Sequence, residues 1–292
     1  MASDEDRRCG SVCLLNCTKC VRGDYAAGGS GNSDGTVPLW AATAAELVAT
    51  ALLVALSCLA PCAAPDASPL HASITSGLIV TLLVQCFDHL CGAMMNPTVT
   101  LAAVLRGRIT ARVGAAYAAA QLLGAAAAPA LTALVAPSAL TALTAPAHNL
   151  TSTAALCVTR PADGLPLYKA VCIEALLGGL LALANCASWD PRNRLLTDSW
   201  PLRIGTIVTV LTLLTGRLTG ASINPARSFG PALWATDFTH HWVYWLGPLG
   251  GSALCSLLYA GLWHAPPAAV PRALPPPPPP PYSTEGDKRR PV

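Results

Sequence analysis

The amino-acid sequence predicts an all-α membrane protein: six transmembrane helices plus two re-entrant half-helices, arranged as an inverted three-span repeat. Three observations carry this prediction. Of 292 residues, 53% are hydrophobic and only 11% charged, with a mean hydropathy of +0.48, whereas soluble domains carry roughly 25% charged residues. Six apolar stretches each approach the ~20 residues that a bilayer-crossing helix needs. Two further apolar stretches are too short to cross, and each holds an Asn-Pro dipeptide, Asn96-Pro97 and Asn224-Pro225.

In chain order, residues 1–37 are polar, rich in Gly and Ser and without periodicity, and read as a disordered tail. The spans follow at 38–61, 70–90, 113–135, 168–188, 201–218 and 242–263, with the Asn-Pro segments at 91–106 and 222–234. A Pro/Thr/Ala-rich connection covers 136–167, and residues 264–292 form a Pro-rich tail. The apolar region is thus 38–263, which leaves no room for a sizeable soluble domain. The N-terminus carries Asp4, Glu5, Asp6, Arg7 and Arg8 and does not resemble a secretory signal, so the first apolar helix is expected to direct insertion.

Six spans place both ends of the chain on one side. Lys and Arg concentrate on that side, in the tails, around Arg106, Arg108 and Arg112, and at Arg192 and Arg194. The positive-inside rule makes it the cytoplasm. The 136–167 connection is then extracellular, and Asn149-Leu150-Thr151 within it is an N-glycosylation acceptor pattern. Asn16-Cys17-Thr18 matches too but would be silent on a cytoplasmic tail. Cys58, Cys86, Cys172, Cys186 and Cys255 lie in apolar segments, where cysteine is expected to act as a small buried hydrophobe.

Glu174 follows Glu46 by 128 positions, and Asn224 follows Asn96 by the same interval. A duplicated three-span unit explains both. With an odd number of spans per unit, the copies lie in opposite orientations, an arrangement that places its functional site near the midplane. In each box Asn precedes Pro at a helix start, where Asn caps and Pro is pre-organised for the first turn. Helix N-termini present unpaired N–H groups and partial positive charge. Two such ends meeting at mid-membrane must be buried or line a watery path, and their field opposes cations and protons.

The boxes, Gly92-Ala93-Met94-Met95-Asn96-Pro97-Thr98 and Gly220-Ala221-Ser222-Ile223-Asn224-Pro225-Ala226-Arg227, together with His89, Gln121, Asp190-Pro191-Arg192 and His241 to Pro248, resemble the aquaporin family over 38–263. The resemblance implies a channel rather than an enzyme, with no cofactor and no metal. It implies that Asn96, Pro97, Thr98, Asn224, Pro225 and Ala226 form the pore boxes, and that Glu46 and Glu174 brace the loops carrying them. Intramembrane carboxylates are expensive and need such partners; a proton relay in a coupled transporter is the other reading of these two. A homotetramer, each subunit with its own pore, is also implied.

Matched onto the family's constriction, the four selectivity positions fall on Ser76, Thr212, Ala221 and Arg227. Arg227 is the expected arginine. Ser76 and Thr212 are smaller than the aromatic and histidine of water-specific members, and Ala221 replaces the mercury-sensitive cysteine. Pore width and lining donors decide which neutral solutes pass, so glycerol and urea are expected beside water. Ser228, Ala232, Tyr244 and Trp245 instead match water-channel members, which keeps a strictly water-selective pore as the alternative. Thr98 stands where the family usually has Ala.

Cys9, Cys13, Cys17 and Cys20 lie among basic residues and suit palmitoylation, an idle reduced tail or, less well for their spacing, zinc. Pro275 to Pro281 favour a polyproline II helix, and Pro279-Pro280-Pro281-Tyr282 fits the PPxY pattern that WW domains read, or a plain linker. A junctional or scaffolding role through this tail is the remaining class of function. The expected partners are water and small neutral solutes within a lipid bilayer, the plasma membrane or an intracellular one, and not nucleic acid.

Overall fold

The computed structural model describes residues 37–63, 68–135, 157–193 and 198–263. Both tails, with Cys9, Cys13, Cys17, Cys20 and Pro279 to Tyr282, lie outside the described residues, as do Asn149 and Arg194. The helices in order are α1 Leu39–Ala63, α2 Pro69–Cys91, α3 Pro97–Leu105, α4 Ala111–Val135, α5 Leu167–Ser188, α6 Trp200–Thr219, α7 Pro225–Ala235 and α8 Val243–Leu262, with a short 3-10 turn at Pro191–Asn193. Six of them are long and apolar enough to span a membrane. The other two, α3 and α7, have 9 and 11 residues. At 1.5 Å per residue they reach ~14 and ~17 Å, about half of a ~30 Å hydrocarbon core.

Local chemistry sets the helix ends. Ser68 caps α2 by accepting from the His71 N–H at 3.2 Å, with Pro69 in the first turn. Gly92 ends α2 at φ 85°, and its repeat mate Gly220 ends α6 at φ 80°. Both turns need the left-handed region that glycine enters freely. The Gly92 N–H donates to the Asp88 carbonyl at 2.8 Å and the Gly220 N–H to the Gly216 carbonyl at 3.0 Å.

Helices pair as α1 with α4, α5 with α8 and α2 with α6. The last pair shows the duplication at atomic scale. A Cβ on Gly77 would stand 1.9 Å from Thr209 Oγ1 and 2.3 Å from the Gly205 carbonyl. A Cβ on Gly205 would stand 1.9 Å from Thr81 Oγ1 and 2.5 Å from the Gly77 carbonyl. Both Gly205 and Thr209 follow their mates by 128 positions. In a bilayer, where apolar burial gives helices little reason to associate, this backbone approach replaces it with van der Waals contact.

Large apolar side chains such as Leu78, Leu82, Leu123, Leu214 and Leu254 face outward, as a lipid-solvated surface requires. Just beyond the end of α5, Asp190 receives Arg192 through two side-chain bonds of 2.7 Å and the Tyr259 hydroxyl at 2.9 Å. Arg192 also donates to the Trp263 carbonyl at 2.6 Å, clasping the ends of α5 and α8.

The cysteine expectation needs correction. Cys58 is not a free apolar thiol; it forms a disulfide with Cys157 across 99 positions of sequence, Cα atoms 5.1 Å apart. Cys86 and Cys172 are exposed rather than buried, and Cys255 is half-buried, whereas Cys186 is buried as expected.

Candidate functional site

The loops preceding α3 and α7 carry unusual backbone. Ala93, Met95, Ala221 and Ile223 all have positive φ, at 43°, 49°, 44° and 59°. Such conformations cost non-glycine residues about 1–3 kcal/mol each and persist only where the surroundings over-determine them. Here the surroundings are two buried carboxylates. Glu46 accepts the Met94 and Met95 N–H groups at 2.7 and 2.8 Å, and Gln121 Nε2 at 2.8 Å. Glu174 accepts the Ser222 and Ile223 N–H groups at 3.0 and 2.8 Å, and the Thr219 hydroxyl at 2.7 Å. The same hydrogen-bond pattern occurs twice, with a different third partner in each copy.

Held in this way, the two boxes meet. Asn96 Oδ1 accepts the Thr98 N–H at 2.8 Å, and Asn224 Oδ1 accepts those of Ala226 and Arg227 at 3.0 and 3.3 Å. Each amide nitrogen then reaches across the repeat. Asn96 Nδ2 donates to the Ile223 carbonyl at 3.1 Å and Asn224 Nδ2 to the Met95 carbonyl at 2.8 Å. An amide carries two N–H groups, so each Asn retains one for the adjoining space.

That space is a narrow cavity of about 120 Å³, lined by both asparagines and by all four sequence-derived selectivity positions, Ser76, Thr212, Ala221 and Arg227. Its other walls are largely apolar and include Asn185 and Trp200. A wider vestibule of about 660 Å³ adjoins it, and Ser57, Ser76, Thr212, Gly220 and Arg227 border both. Pro97, Thr98, Pro225 and Ala226 are buried behind the asparagines. The Thr98 hydroxyl is fully buried and has no hydrogen-bond partner among the described residues, while its carbonyl accepts Ser252 Oγ at 2.8 Å.

Sequence reasoning missed a third contributor, the segment 157–162. Arg227 Nη1 donates to the Cys157 carbonyl at 3.2 Å. Thr159 shares a 2.6 Å hydroxyl pair with Ser228, and the Ala162 N–H donates to the Leu218 carbonyl at 2.7 Å. Arg160 is ion-paired with Asp237. Ser57 was also missed, because a serine within an apolar run gives no sign of which way it faces.

The comparisons with known proteins agree with this architecture. The family model for the major intrinsic protein matches residues 34–259. Probable aquaporin TIP4-2 of Oryza sativa subsp. japonica is 38% identical over 182 residues, 62% of this chain and 65% of the relative, so the match spans just under two thirds of that protein. The lens fiber major intrinsic protein of Oryctolagus cuniculus is 38% identical over 193 residues, 65% of this chain and 68% of the relative. In fold, the chain is similar to the aquaglyceroporin from Plasmodium falciparum, with a TM-score of 0.61 at 19% identity, covering 77% of this chain and 96% of that one. With the family match covering five spans, both Asn-Pro boxes and most of the sixth span, the chain belongs to the major intrinsic protein family, the aquaporins.

Proposed function

We propose that the protein is a passive membrane channel for water and small uncharged solutes such as glycerol and urea, and that it excludes protons and ions. The observation that carries this reading is the single narrow cavity touched by Asn96, Asn224, Ser76, Thr212, Ala221 and Arg227. The first turns of α3 and α7 converge there, so their positive ends repel cations. A water molecule at the midpoint meets two fixed amide donors. Accepting from both commits its lone pairs to the protein and breaks the donor chain along which a proton would hop.

Ser76 bonds back to its own helix, its Oγ donating to the Ala72 carbonyl at 2.9 Å. Ser76 and Thr212 give the opening compact hydroxyl-bearing side chains alongside the Arg227 guanidinium. This supports passage of a polyol or urea, whose hydroxyl and amide groups find both donors and acceptors. Glu46 and Glu174 act as braces in this reading, since both oxygens of each carboxylate are engaged by the box loops.

The channel is proposed to work as a homotetramer of independent pores in the plasma membrane, with both termini cytoplasmic. A disulfide at the 157 end and the Arg-rich connections at the opposite end support that sidedness, because disulfides persist in oxidising compartments. Oocyte swelling in hypotonic medium, beside labelled glycerol and urea uptake, tests the reading. Swelling together with uptake is expected; swelling without uptake would leave a strictly water-selective channel, and flux driven by a pH gradient would replace the channel by a transporter.

A further inference from the structure

We infer that the Cys58–Cys157 disulfide is a positioning element that fixes Arg227 and thereby sets the solute range of the pore. The inference rests on the channel reading above and extends it to a covalent link that none of the box or constriction residues contains. Cys157 is 2% exposed and Cys58 1% exposed, and both belong to the same buried apolar cluster as Ala226, the residue directly before Arg227. The Cys157 carbonyl is the acceptor for Arg227 Nη1 at 3.2 Å. Cys58 follows Ser57, which borders both the cavity and the vestibule. One bond therefore joins the wall contributed by α1 to the atom that orients the guanidinium.

A guanidinium is a planar fork of donors, so an acceptor on one side determines where the remaining donors point. Thr159 and Ala162 anchor the downstream part of the same segment to Ser228 and Leu218. Its first described residue, Cys157, is anchored to α1 by the disulfide. A site is only as well placed as the groups supporting it. Opening the bond leaves the Cys157 carbonyl held by non-covalent packing at the end of a long connection, and Arg227 with it. The guanidinium then samples positions away from the mouth, and the aperture widens.

Reduction by a dithiol supplies the required two electrons and two protons: the S–S bond breaks, two thiols form and the reductant closes to its own disulfide. The test uses the full chain in proteoliposomes, with stopped-flow water and glycerol permeabilities measured before and after a membrane-permeant dithiol, and thiol state read by mass spectrometry. Losing one hydrogen bond to a charged donor relaxes a held orientation by roughly tenfold, so the glycerol-to-water ratio is expected to rise about twofold to tenfold. Cys58→Ser/Cys157→Ser is expected to show the raised ratio constitutively and ignore the dithiol. Cys86→Ser/Cys172→Ser, which removes two exposed thiols, is expected to behave as wild type.

An unchanged ratio with both thiols shown free would overturn the inference. So would a proportional fall in both permeabilities, which signals lost protein rather than a moved arginine, or a response that disappears with Cys86 and Cys172. Because reduction is applied to protein already folded and inserted, the outcome stands even where the double variant fails to fold. A protein conducting neither water nor glycerol while oxidised would instead sink the channel reading, and this inference with it.

Discussion

Asn224 Nδ2 donates to the Met95 carbonyl at 2.8 Å across 129 positions of sequence, so each half of the chain supplies the hydrogen bond that closes the other half's box. Replacing this amide by a carboxylate keeps the size and the N-cap acceptor but removes the donor. Asn224→Asp is expected to lose the bond to Met95, place negative charge at the meeting point of two positive helix ends and admit cations. Ion conductance in planar bilayers checks this; a variant as ion-tight as wild type would show that the field of the half-helices alone carries the barrier.

Ser76 and Thr212 line the same cavity as Arg227. Ser76→Phe with Thr212→His puts rings into that cavity. Glycerol uptake is expected to fall by at least about tenfold while water permeability falls far less, since aperture governs the larger solute first. Paired uptake and swelling assays read the two effects separately.

Gly205 leaves no room for a side chain. Gly205→Ala places a methyl 2.5 Å from the Gly77 carbonyl as well as against the Thr81 hydroxyl, so trimming Thr81 to Ala is not expected to rescue it. Overpacking of this kind costs about 1–3 kcal/mol. The melting midpoint in detergent, followed by fluorescence-detected size exclusion, is expected to drop in both the single and the double variant.

Asp190 titrates below its ordinary value of 3.8, first because Arg192 donates to it, with the Arg192 backbone and the Tyr259 hydroxyl adding to the effect against the opposing influence of burial. A carboxyl depressed in the folded state binds its proton more readily when unfolded. The clasp therefore contributes stability above the ordinary value and loses it as pH falls through the lower folded value. Asp190→Asn is expected to lower the melting midpoint at pH 7 by the same margin as at pH 5, with the gap to wild type narrowing only below about pH 4. A gap that closed near neutrality would assign the effect to a different group.

Much of the frame was legible in the sequence because it depends on local pattern. The spans follow from run length and apolar composition, the half-helices from an Asn-Pro start on a run too short to cross, and the repeat from the 128-residue interval shared by Glu46 and Asn96 with their mates. The positions Ser76, Thr212, Ala221 and Arg227 could be placed only through family resemblance, yet they line one cavity. The rest depends on long-range geometry. Cys58 reads as one more apolar residue of α1, and only the fold brings it to Cys157. Thr159 looks like ordinary connection sequence until the segment descends onto Ser228. The left-handed backbone at Ile223 has no compositional sign at all, since a β-branched residue is among the least suited to it.

The crossed asparagine bonds also impose an order on biosynthesis. Glu46 lies 48 positions before Met94, so the first box loop meets its brace within the half of the chain made first. The acceptor for Asn96 Nδ2, the Ile223 carbonyl, emerges 127 positions later. At about 5–20 residues per second that interval is roughly 6–25 s. For its duration the Asn96 amide lacks the acceptor that it has in the folded chain. A chain that ends after Asn96 but before Ile223 thus carries a polar amide without its acceptor, a defect that membrane quality control can recognise, rather than half of a working pore.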